Sequence, residues 1–406
     1  MSAIDTVNVA LVVVSLPALA WTGYLASLAL LSFGASGPSV YGAPSTRFDI
    51  VVPAHDEEDG IAATVESLLA VDYPSAMRRV VVVADNCTDS TAIRAAEAGA
   101  TVLERRDLER RGKGYALAHA FERSLAEGRA DAVVVVDADT TVSANLLTAF
   151  DARLRCGARA AQAHYGVANP RSSWRTRLMH IGFTLFHDVR SRARERMRVS
   201  AGLRGNGMAF AVTTLREVPH DAFSIVEDVE YGIRLGLAGH RVHYAAEAKV
   251  YGQMVSSERA SRSQRQRWEG GRLALARKHA GALVSRGLRR RSLLLLDLAM
   301  DLLVPPLTYV ALATIAGTLA SAAWVAFGHG AAWSLVPWVM AVSCLALYIV
   351  RGVWLSEVGW RAVLDLAWAP VYMAWKVVLA LRSSRTPAGA PKGEWVRTTR
   401  EERRDP

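Results

Sequence analysis

Carboxylates follow three valine-rich runs of the sequence. Asp56 and Glu57 come after "FDIVVPA", Asp85 closes "RRVVVVAD", and Asp137 and Asp139 close "ADAVVVVDAD". Carboxylate oxygens are the ligands that Mg²⁺ and Mn²⁺ prefer, and such a cation also binds the phosphates of a substrate. The first prediction is therefore a divalent cation with a phosphorylated ligand. For the pair Asp137 and Asp139 alone, the alternative is a turn in which one aspartate caps the next helix.

The elements that position these carboxylates are strands and helices in alternation. The valine-rich runs are separated by helical patterns such as "GIAATVESLLAV" and "AIRAAEAG". Continuous apolar strands that alternate with helices are typical of an α/β fold, a doubly wound and mostly parallel sheet. Ligands of such sheets bind beyond the carboxyl ends of the strands. The acids are therefore expected to lie at one edge of the sheet.

Two further segments carry groups that suit the same ligand. Lys113 in "RRGKGYALAHAF" opens a helix after a glycine, which suits a phosphate contact, although a solvated lysine is the alternative. Glu227 and Asp228 in "FSIVEDVEYGIRL" begin another helix, where they either serve catalysis or complement the helix dipole. His55 is as well explained by a loop residue bonded to backbone.

The composition predicts a membrane protein in a reducing compartment. The 406 residues carry a net charge of +10, and the three cysteines lie far apart without disulfide or metal spacing. An uncharged run at 7–33 is long enough to span a membrane, and "MSAID" before it lacks the positive charge of a signal peptide. Further runs occupy 302–327 and 331–350, whereas Asp365, Pro370 and Lys376 interrupt the run at 362–381.

Arginine clusters beside the apolar runs set the expected topology. The clusters at 286–291 and 381–385 mark the cytoplasmic side, so the N-terminus is outside and the soluble middle is cytoplasmic, in a multi-pass protein of the cell (inner or plasma) membrane. The predicted order is a transmembrane anchor (1–34), a cytoplasmic domain (35–272), a basic interfacial segment (273–301), a transmembrane hairpin (302–353), an interfacial or transmembrane helix (362–382) and a basic cytoplasmic tail (386–406).

Within the cytoplasmic domain, 172–198 has the pattern of a helix with one apolar face. The face consists of Trp174, Leu178, Ile181, Leu185 and Val189, and arginines fill much of the remainder. Such a helix is expected to lie on a membrane surface, and packing in a protein core is the alternative.

Six motifs in order resemble one enzyme family. "VVPAHDE", "VADNCTDST", "GKGYAL", "VVDADT", "VEDVEYGIRL" and "QRQRW", over residues 48–272, are similar to the membrane-embedded branch of glycosyltransferase family 2, which includes cellulose, hyaluronan, chitin and poly-N-acetylglucosamine synthases. The resemblance implies a GT-A fold and a metal-dependent, inverting transfer from a UDP-sugar to a growing glycan, in exopolysaccharide or cell-surface polysaccharide synthesis. It also implies Mg²⁺ or Mn²⁺ as cofactor.

The resemblance assigns donor and metal roles to residues already singled out. It implies that Asp85 binds the uracil ring, that Glu57, beside His55 and Asp56, contacts the nucleoside, and that Lys113 binds the diphosphate. Asp139 becomes the firmer metal ligand, and Asp137 lies near both ribose and metal.

The resemblance also implies an acceptor side. Asp228, next to Glu227, becomes the general base, and Asn206 in "GLRGNGMAF" becomes an acceptor contact. This segment departs from the cellulose synthase form, which leaves the polymer and the acceptor open. The Q-x-x-R-W residues share one helix face: Gln264 and Arg267 would bind the diphosphate, and Trp268 would stack on the acceptor sugar.

The tail segment "GEWVRTTRE" loosely resembles the gating segments of hyaluronan and cellulose synthases. The residues that would close over the nucleotide are Trp395, Arg397, Thr398 and Arg400. A disordered basic tail is the alternative.

Three other functions compete with glycan synthesis. One is transfer of a single sugar to a lipid acceptor, as in ceramide- or polyprenyl-phosphate-type enzymes. Another is a membrane-anchored binder of nucleic acid or anionic lipid, which the acidic sheet edge disfavours because five carboxylates repel phosphates. The last is a scaffold that has lost catalysis. The expected partners are a UDP-sugar, a glycan or lipid acceptor and membrane lipids, without nucleic acid.

Overall fold

The computed structural model describes residues 3–34, 41–170, 174–252, 258–328, 330–356, 358–359 and 364–368; for residues 175 and 258–267 it describes the backbone alone. The eight strands are Phe48–Ala54 (β1), Arg78–Asp85 (β2), Thr101–Arg105 (β3), Ala132–Val135 (β4), Thr140–Val142 (β5), Ala160–Val167 (β6), Met208–Ala211 (β7) and Val242–Gly252 (β8). The helices are Ala3–Leu31 (α1), Ile61–Leu69 (α2), Thr91–Glu97 (α3), Lys113–Glu127 (α4), Leu146–Arg155 (α5), Trp174–Thr184 (α6), Arg190–Arg196 (α7), Val212–Glu217 (α8), Glu227–Leu237 (α9), Glu258–Arg289 (α10), Leu293–Leu303 (α11), Leu307–Ala326 (α12) and Val336–Leu355 (α13).

All eight strands form one sheet in the order β3-β2-β1-β4-β7-β6-β8-β5. The first four are parallel, as the valine-rich runs predict. Beyond β4 the sheet is mixed, because β7 is antiparallel to both of its neighbours and β5 is antiparallel to β8, while β6 and β8 are parallel. The carboxyl ends of β1, β2 and β4 therefore share one edge.

Burial on both faces explains the continuous apolar runs. In β1, Ile50 and Val52 belong to a core that also contains α2 and α5, whereas Val51 belongs to a second core on the other face with α4 and α9. Every residue of β1 is buried. Successive strand residues point to opposite faces, so a strand covered on both sides is apolar at nearly every position.

Three of the described helices are long and apolar enough to cross a membrane: Ala3–Leu31, Leu307–Ala326 and Ala332–Leu355, the last of which includes α13. They correspond to the predicted anchor and hairpin. Contacts divide the chain into two compact units, and these helices belong to one of them together with residues up to Ala193 of the 172–198 segment.

The apolar face of the 172–198 segment packs inside this helical unit. Ile181, Leu185 and Val189 are buried with Leu25 of α1 and Tyr348 of α13. Other helices therefore cover this part of the apolar face, as the alternative of packing in a protein core predicts, and a membrane-surface position of the segment stays a prediction. Its sequence pattern did not separate the two cases, because a helix packed on other helices and a helix lying on lipid need the same apolar stripe.

The other unit, which holds the sheet, extends past the predicted boundary at residue 272. It includes the described residues of Arg194–Leu302, and thus all of the segment 273–301 that was expected to be interfacial. In that segment Leu275, Leu283, Leu295 and Leu298 pack with Val226 at the start of α9. Helix α10 and residues 293–302 of α11 therefore belong to the unit that holds the sheet.

Candidate active site

Asp85 ends β2 with one carboxylate oxygen satisfied and the other unsatisfied. The side chain is 1% exposed, and its Oδ1 accepts hydrogen bonds from Arg105 Nη1 at 2.6 Å and Asn86 Nδ2 at 3.2 Å. Among the described residues, no donor reaches the buried Oδ2. Burial raises the pKa of Asp85, and the Arg105 guanidinium opposes that shift. A buried acceptor without a partner is costly, so Oδ2 is suited to the N–H of a ligand.

The turn after β1 is tied to the loop after β2. Asp56 has a positive φ of 52°, and its Oδ1 accepts a hydrogen bond from the backbone N–H of Thr88 at 2.7 Å. Glu57 donates its backbone N–H to Thr91 Oγ1 at 2.8 Å, and its side chain is half-buried. His55 Nδ1 lies 2.7 Å from the carbonyl oxygen of Asp85, which can only accept. His55 is thus the backbone-bonded loop residue that the sequence offered as an explanation.

A second group of potential metal ligands lies beside this turn. Asp56, Cys87 and Asp89 form the one cluster of three such side chains found in the described part of the chain. Burial raises the pKa of the Cys87 thiol to about 11, so the thiol keeps its proton at neutral pH. Asp89 accepts hydrogen bonds from Thr91, as Asp56 does from Thr88. The cluster is therefore better explained as a turn than as a metal centre.

Lys113 connects the metal-binding candidates with the acid pair. Its Nζ donates to Asp137 Oδ1 at 2.5 Å and to the carbonyl oxygen of Gly205 at 2.6 Å, and it lies 3.7 Å from Glu227 Oε1. Burial disfavours the charged ammonium, but Asp137 and Glu227 outweigh burial and raise the pKa of Lys113. The Lys113 ammonium is thus held between carboxylates, at a position that also suits a contact with a diphosphate.

Glycine is required directly after Lys113. A Cβ at Gly114 would lie 2.3 Å from the carbonyl oxygen of Ala222, so the first turn of α4 touches the backbone of the segment that leads to α9. This close approach brings Lys113 to Glu227. The pattern Gly-Lys-Gly was singled out from the sequence for its phosphate chemistry, and the structure adds a packing reason for it.

Asp137 and Asp139 follow β4 with their side chains partly exposed. The backbone N–H of Asp137 donates to Asn206 Oδ1 at 3.1 Å, and Thr140 Oγ1 donates to Asp139 Oδ1 at 3.4 Å. Two hard carboxylates leave several coordination positions for phosphate oxygens, which fits Mg²⁺ or Mn²⁺ held jointly with a nucleotide. Lys113 beside them limits the repulsion between the two carboxylates.

The Asn206 side chain is buried and hydrogen-bonded inside the protein. It is 0% exposed, and its Nδ2 donates to Thr140 Oγ1 at 2.8 Å while its Oδ1 holds Asp137. These bonds indicate that Asn206 positions Asp137, and the contact with an acceptor stays a prediction. The glycines around Asn206 were the only signal in the sequence, and they do not distinguish these roles.

Glu227 and Asp228 are the first two residues of α9. Burial raises the pKa of Glu227 to about 7, against the effect of Lys113. Burial also raises the pKa of Asp228, and a hydrogen bond from Val229 and the charge of Lys113 oppose that shift. At Gly205, a Cβ would lie 3.5 Å from Asp228 Oδ2 and 3.6 Å from Lys113 Nζ. Both acids thus lie close to the lysine.

The structure describes only some of the remaining predicted site residues. Trp268 of α10 is 40% exposed, as a stacking surface for a sugar must be. The side chains of Gln264 and Arg267 lie outside the described residues, as do Trp395, Arg397, Thr398 and Arg400.

The sequence interpretation missed Arg105 and the ring pair next to it. Arg105 lies over the ring of Tyr115 at 5.9 Å, and that ring stacks on Phe223 with centroids 4.2 Å apart. A charged residue that closes a short strand was the only signal for Arg105.

Comparisons with known proteins agree with this geometry. The family model described as "Glycosyltransferase like family 2" matches residues 44–271. The low-salt glycan biosynthesis hexosyltransferase Agl6 of Haloferax volcanii is 37% identical over 117 residues, which are 27% of each chain. The glucosyl-3-phosphoglycerate synthase of Mycolicibacterium paratuberculosis is 40% identical over 95 residues, 22% of this chain and 27% of that one. The matched region thus spans about a quarter of each of these relatives.

A solved structure shares the fold. The mannosyltransferase PcManGT of Pyrobaculum calidifontis, in complex with GDP-Man and Mn²⁺, matches with a TM-score of 0.51 and 19% identity over 85% of this chain and 100% of the other. The expected GT-A fold is confirmed.

Proposed function

This chain belongs to glycosyltransferase like family 2, and we propose that it transfers a sugar from a UDP-sugar to the hydroxyl of an acceptor, with inversion at the anomeric carbon. The observation that carries the proposal is the position of Lys113, which contacts Asp137 at 2.5 Å and lies 3.7 Å from Glu227. The Lys113 ammonium thereby links two groups of acids. One is the strand-end residue Asp137, which is suited to the metal of a metal–diphosphate complex, and the other is the acid pair, which is suited to the acceptor.

Donor binding follows from the three strand ends. Asp85 Oδ2 accepts the imide N–H of uracil, Glu57 contacts the nucleoside, and Lys113 turns its charge to the diphosphate. Asp137 and Asp139 are the residues that hold Mg²⁺ or Mn²⁺. Such a cation, when bound, supplies Lewis-acid stabilisation of the leaving diphosphate. The related structure with GDP-Man and Mn²⁺ supports this donor chemistry at the level of the fold.

Transfer itself needs a base at the acceptor. Asp228 accepts the proton of the acceptor hydroxyl, the hydroxyl oxygen forms the bond to the anomeric carbon, and the bond from that carbon to UDP breaks. No covalent intermediate is needed, because a single displacement inverts the carbon. Lys113 and the backbone hydrogen bond from Val229 favour the ionised form of Asp228. Gln264 and Arg267 are assigned to the diphosphate, and Trp268 to the acceptor sugar.

The chain is proposed to act at the cell membrane with its catalytic domain in the cytoplasm. Three described helices are long and apolar enough to span. The tail residues Trp395, Arg397, Thr398 and Arg400 are proposed to close over the nucleotide, so deletion of residues 386–406 should lower turnover at least ~10-fold. The product is proposed to be an exopolysaccharide or another cell-surface polysaccharide.

A lipid-linked acceptor is the second candidate. Phe223 and Ile225, just before the acid pair, are 42% and 43% exposed. Exposed apolar side chains at the entrance of a site suit the lipid part of an acceptor better than a polar glycan.

The test is UDP release by the full-length chain in detergent from a panel of UDP-sugars, with and without Mn²⁺. We expect Mn²⁺-dependent release from at least one donor, and mass spectrometry of the product then distinguishes a glycan from a glycolipid. No release from any donor, in the presence of both acceptor classes, would contradict the proposal.

A further inference from the structure

Helix α10 touches the start of α9 at a position where only glycine fits. A Cβ at Gly271 would lie 2.9 Å from Ile225 Cγ2, 2.9 Å from Val226 Cγ2 and 3.0 Å from Val226 Cγ1. Heavy atoms of apolar side chains attract best at about 3.5–4.0 Å, so any larger residue pushes the helix and the segment apart. Ile225 and Val226 directly precede Glu227 and Asp228.

The neighbouring residue Gly270 is a contrast within the same helix. A Cβ at Gly270 would meet nothing within 4 Å. Alanine favours a helix over glycine at both positions, because it restricts the unfolded chain. The two adjacent glycines therefore have the same effect on helix formation and differ in what they contact.

Apolar packing one turn after the Gly271 contact holds α10 against α9 and α11. Leu275, one turn after Gly271, is buried in a cluster with Val226 and Ile233 of the α9 region and with Leu295 and Leu298 of α11. A Cβ at Gly236 of α9 would lie 2.3 Å from Leu298 Cδ1. The three helices are thus in contact at glycine positions, and a movement of α10 at Gly271 is not readily absorbed elsewhere.

A chain of ion pairs also holds helix α10 in place. Arg272 Nη2 donates to the carbonyl oxygen of Asp301 at 2.7 Å, and Asp301 Oδ1 lies 2.7 Å from Arg194 Nη2. Arg194 is 1% exposed and also lies 3.0 Å from Asp297 Oδ2. Charged pairs that are buried tolerate little displacement, because water does not replace a lost partner.

Trp268 shares the face of α10 that makes this contact. It precedes Gly271 by three residues, and residues three apart on a helix are neighbours on its surface. The Gly271 contact therefore also fixes where Trp268 lies relative to the segment that carries Asp228. A shift at Gly271 changes the distance between the aromatic surface for the acceptor and the base, and leaves the strand ends at Asp85 and Asp137 in place.

We propose that Gly271 is a positioning residue that sets the separation between Trp268 and Asp228, and thereby the alignment of the acceptor hydroxyl with the base. The proposal rests on the transferase function proposed above. Since catalytic geometry is sensitive to displacements of about 1 Å, a change at this contact is expected to act on turnover and not on donor affinity.

The experiment compares Gly271→Ala with Gly270→Ala in the full-length chain in detergent. For Gly271→Ala we expect kcat for transfer to fall about 30- to 100-fold, with the Kd for UDP in Mn²⁺ within about twofold of wild type. Gly270→Ala should keep kcat within about twofold. The double variant Val226→Ala/Gly271→Ala, which removes two of the crowding methyl groups, should regain at least about tenfold.

Equal kcat values for the two alanine variants, or no recovery in the double variant, would overturn the proposal. Should Gly271→Ala not fold, Val226→Ile adds one carbon to the same contact from the other side and is expected to lower kcat with unchanged UDP binding. A wild-type chain without transfer would contradict the proposed function instead. Thermal unfolding would then still test the contact, because Gly271→Ala must unfold at a lower temperature than Gly270→Ala.

Discussion

The two halves of the sheet differ in the direction of their strands and in how the strands are connected. The half formed by β3, β2, β1 and β4 is parallel, and β1, β2 and β3 are each followed by a loop and a helix. The half formed by β7, β6, β8 and β5 is mixed, with neighbours far apart in sequence. Asp85, Asp137 and Asp139, which are proposed to bind the donor and its metal, follow strands of the first half. The acid pair belongs with the second, and long-range packing determines where it lies.

This contrast implies that donor binding depends on local groups, whereas acceptor alignment depends on distant contacts. Substitutions at the strand ends should lower donor affinity, and substitutions around α9 and α10 should lower turnover at unchanged affinity.

The largest effect is expected at the metal-binding pair. Asp139→Asn should lower transfer about 1000-fold and raise the Kd for UDP in Mn²⁺, because a neutral amide is a poor ligand for a hard dication. Initial rates over a Mn²⁺ titration measure both. Cys87→Ser is the control from the other cluster of potential ligands and should keep the Mn²⁺ dependence. A stronger loss in Cys87→Ser than in Asp139→Asn would move the metal to that cluster.

Removal of the partner of Asp85 should act on the donor alone. Arg105→Met leaves the buried carboxylate without its 2.6 Å ion pair and further favours the protonated acid, so its pKa rises. We expect donor affinity to fall about 100-fold and kcat at saturating donor to change little. Arg105→Lys keeps the charge and should recover part of the affinity. An effect confined to kcat would contradict the division between the two halves.

Asn206 tests the link between the halves. Asn206→Ala removes two buried hydrogen bonds, at Asp137 and at Thr140, and should lower the free energy of unfolding by about 2 kcal/mol. A positioning role predicts weaker Mn²⁺ binding with an unchanged KM for the acceptor. A raised acceptor KM with unchanged Mn²⁺ binding would instead support the acceptor contact expected from the sequence.

His220 gives the second half a pH dependence of its own. It packs against Phe121 and Tyr231, and burial, with the charge of Arg234, lowers its pKa from 6.5 to about 4. The unfolded chain therefore binds the proton first, and stability is lost as the pH falls from about 6.5 towards 4. Between pH 7 and pH 5 the loss should be about 2 kcal/mol.

The measurement is the difference between wild type and His220→Phe in denaturant unfolding at the two pH values. His220→Phe keeps an aromatic ring in the cluster and removes the titrating group. A wild-type chain that loses no more stability than the variant between pH 7 and pH 5 would show that His220 titrates normally.

The sequence was sufficient to predict the features that depend on short segments of the chain. The valine runs gave the parallel strands, the acids at their ends and the edge on which they meet, since strand period and burial are properties of short segments. Lys113 was found through its flanking glycines. Three apolar runs were visible from length and charge alone.

Contacts between distant segments were not predictable in this way. Asn206 was expected at the acceptor, and no local pattern reveals that its amide holds Asp137 sixty-nine residues earlier. The apolar stripe at 172–198 has the same sequence pattern whether the helix lies on lipid or packs in a helical core. Gly270 and Gly271 are adjacent in "RWEGG", and only the contacts of Gly271 with Ile225 and Val226 distinguish the two.

The central claim is that Asp228 is the base of a metal-dependent transfer from a UDP-sugar. The most direct measurement is transfer and UDP binding by Asp228→Asn beside wild type, in Mn²⁺ and with the donor that wild type uses best. For Asp228→Asn we expect a loss of transfer of at least about 1000-fold, with UDP affinity within a few fold of wild type. Transfer at the wild-type rate by Asp228→Asn would contradict the claim.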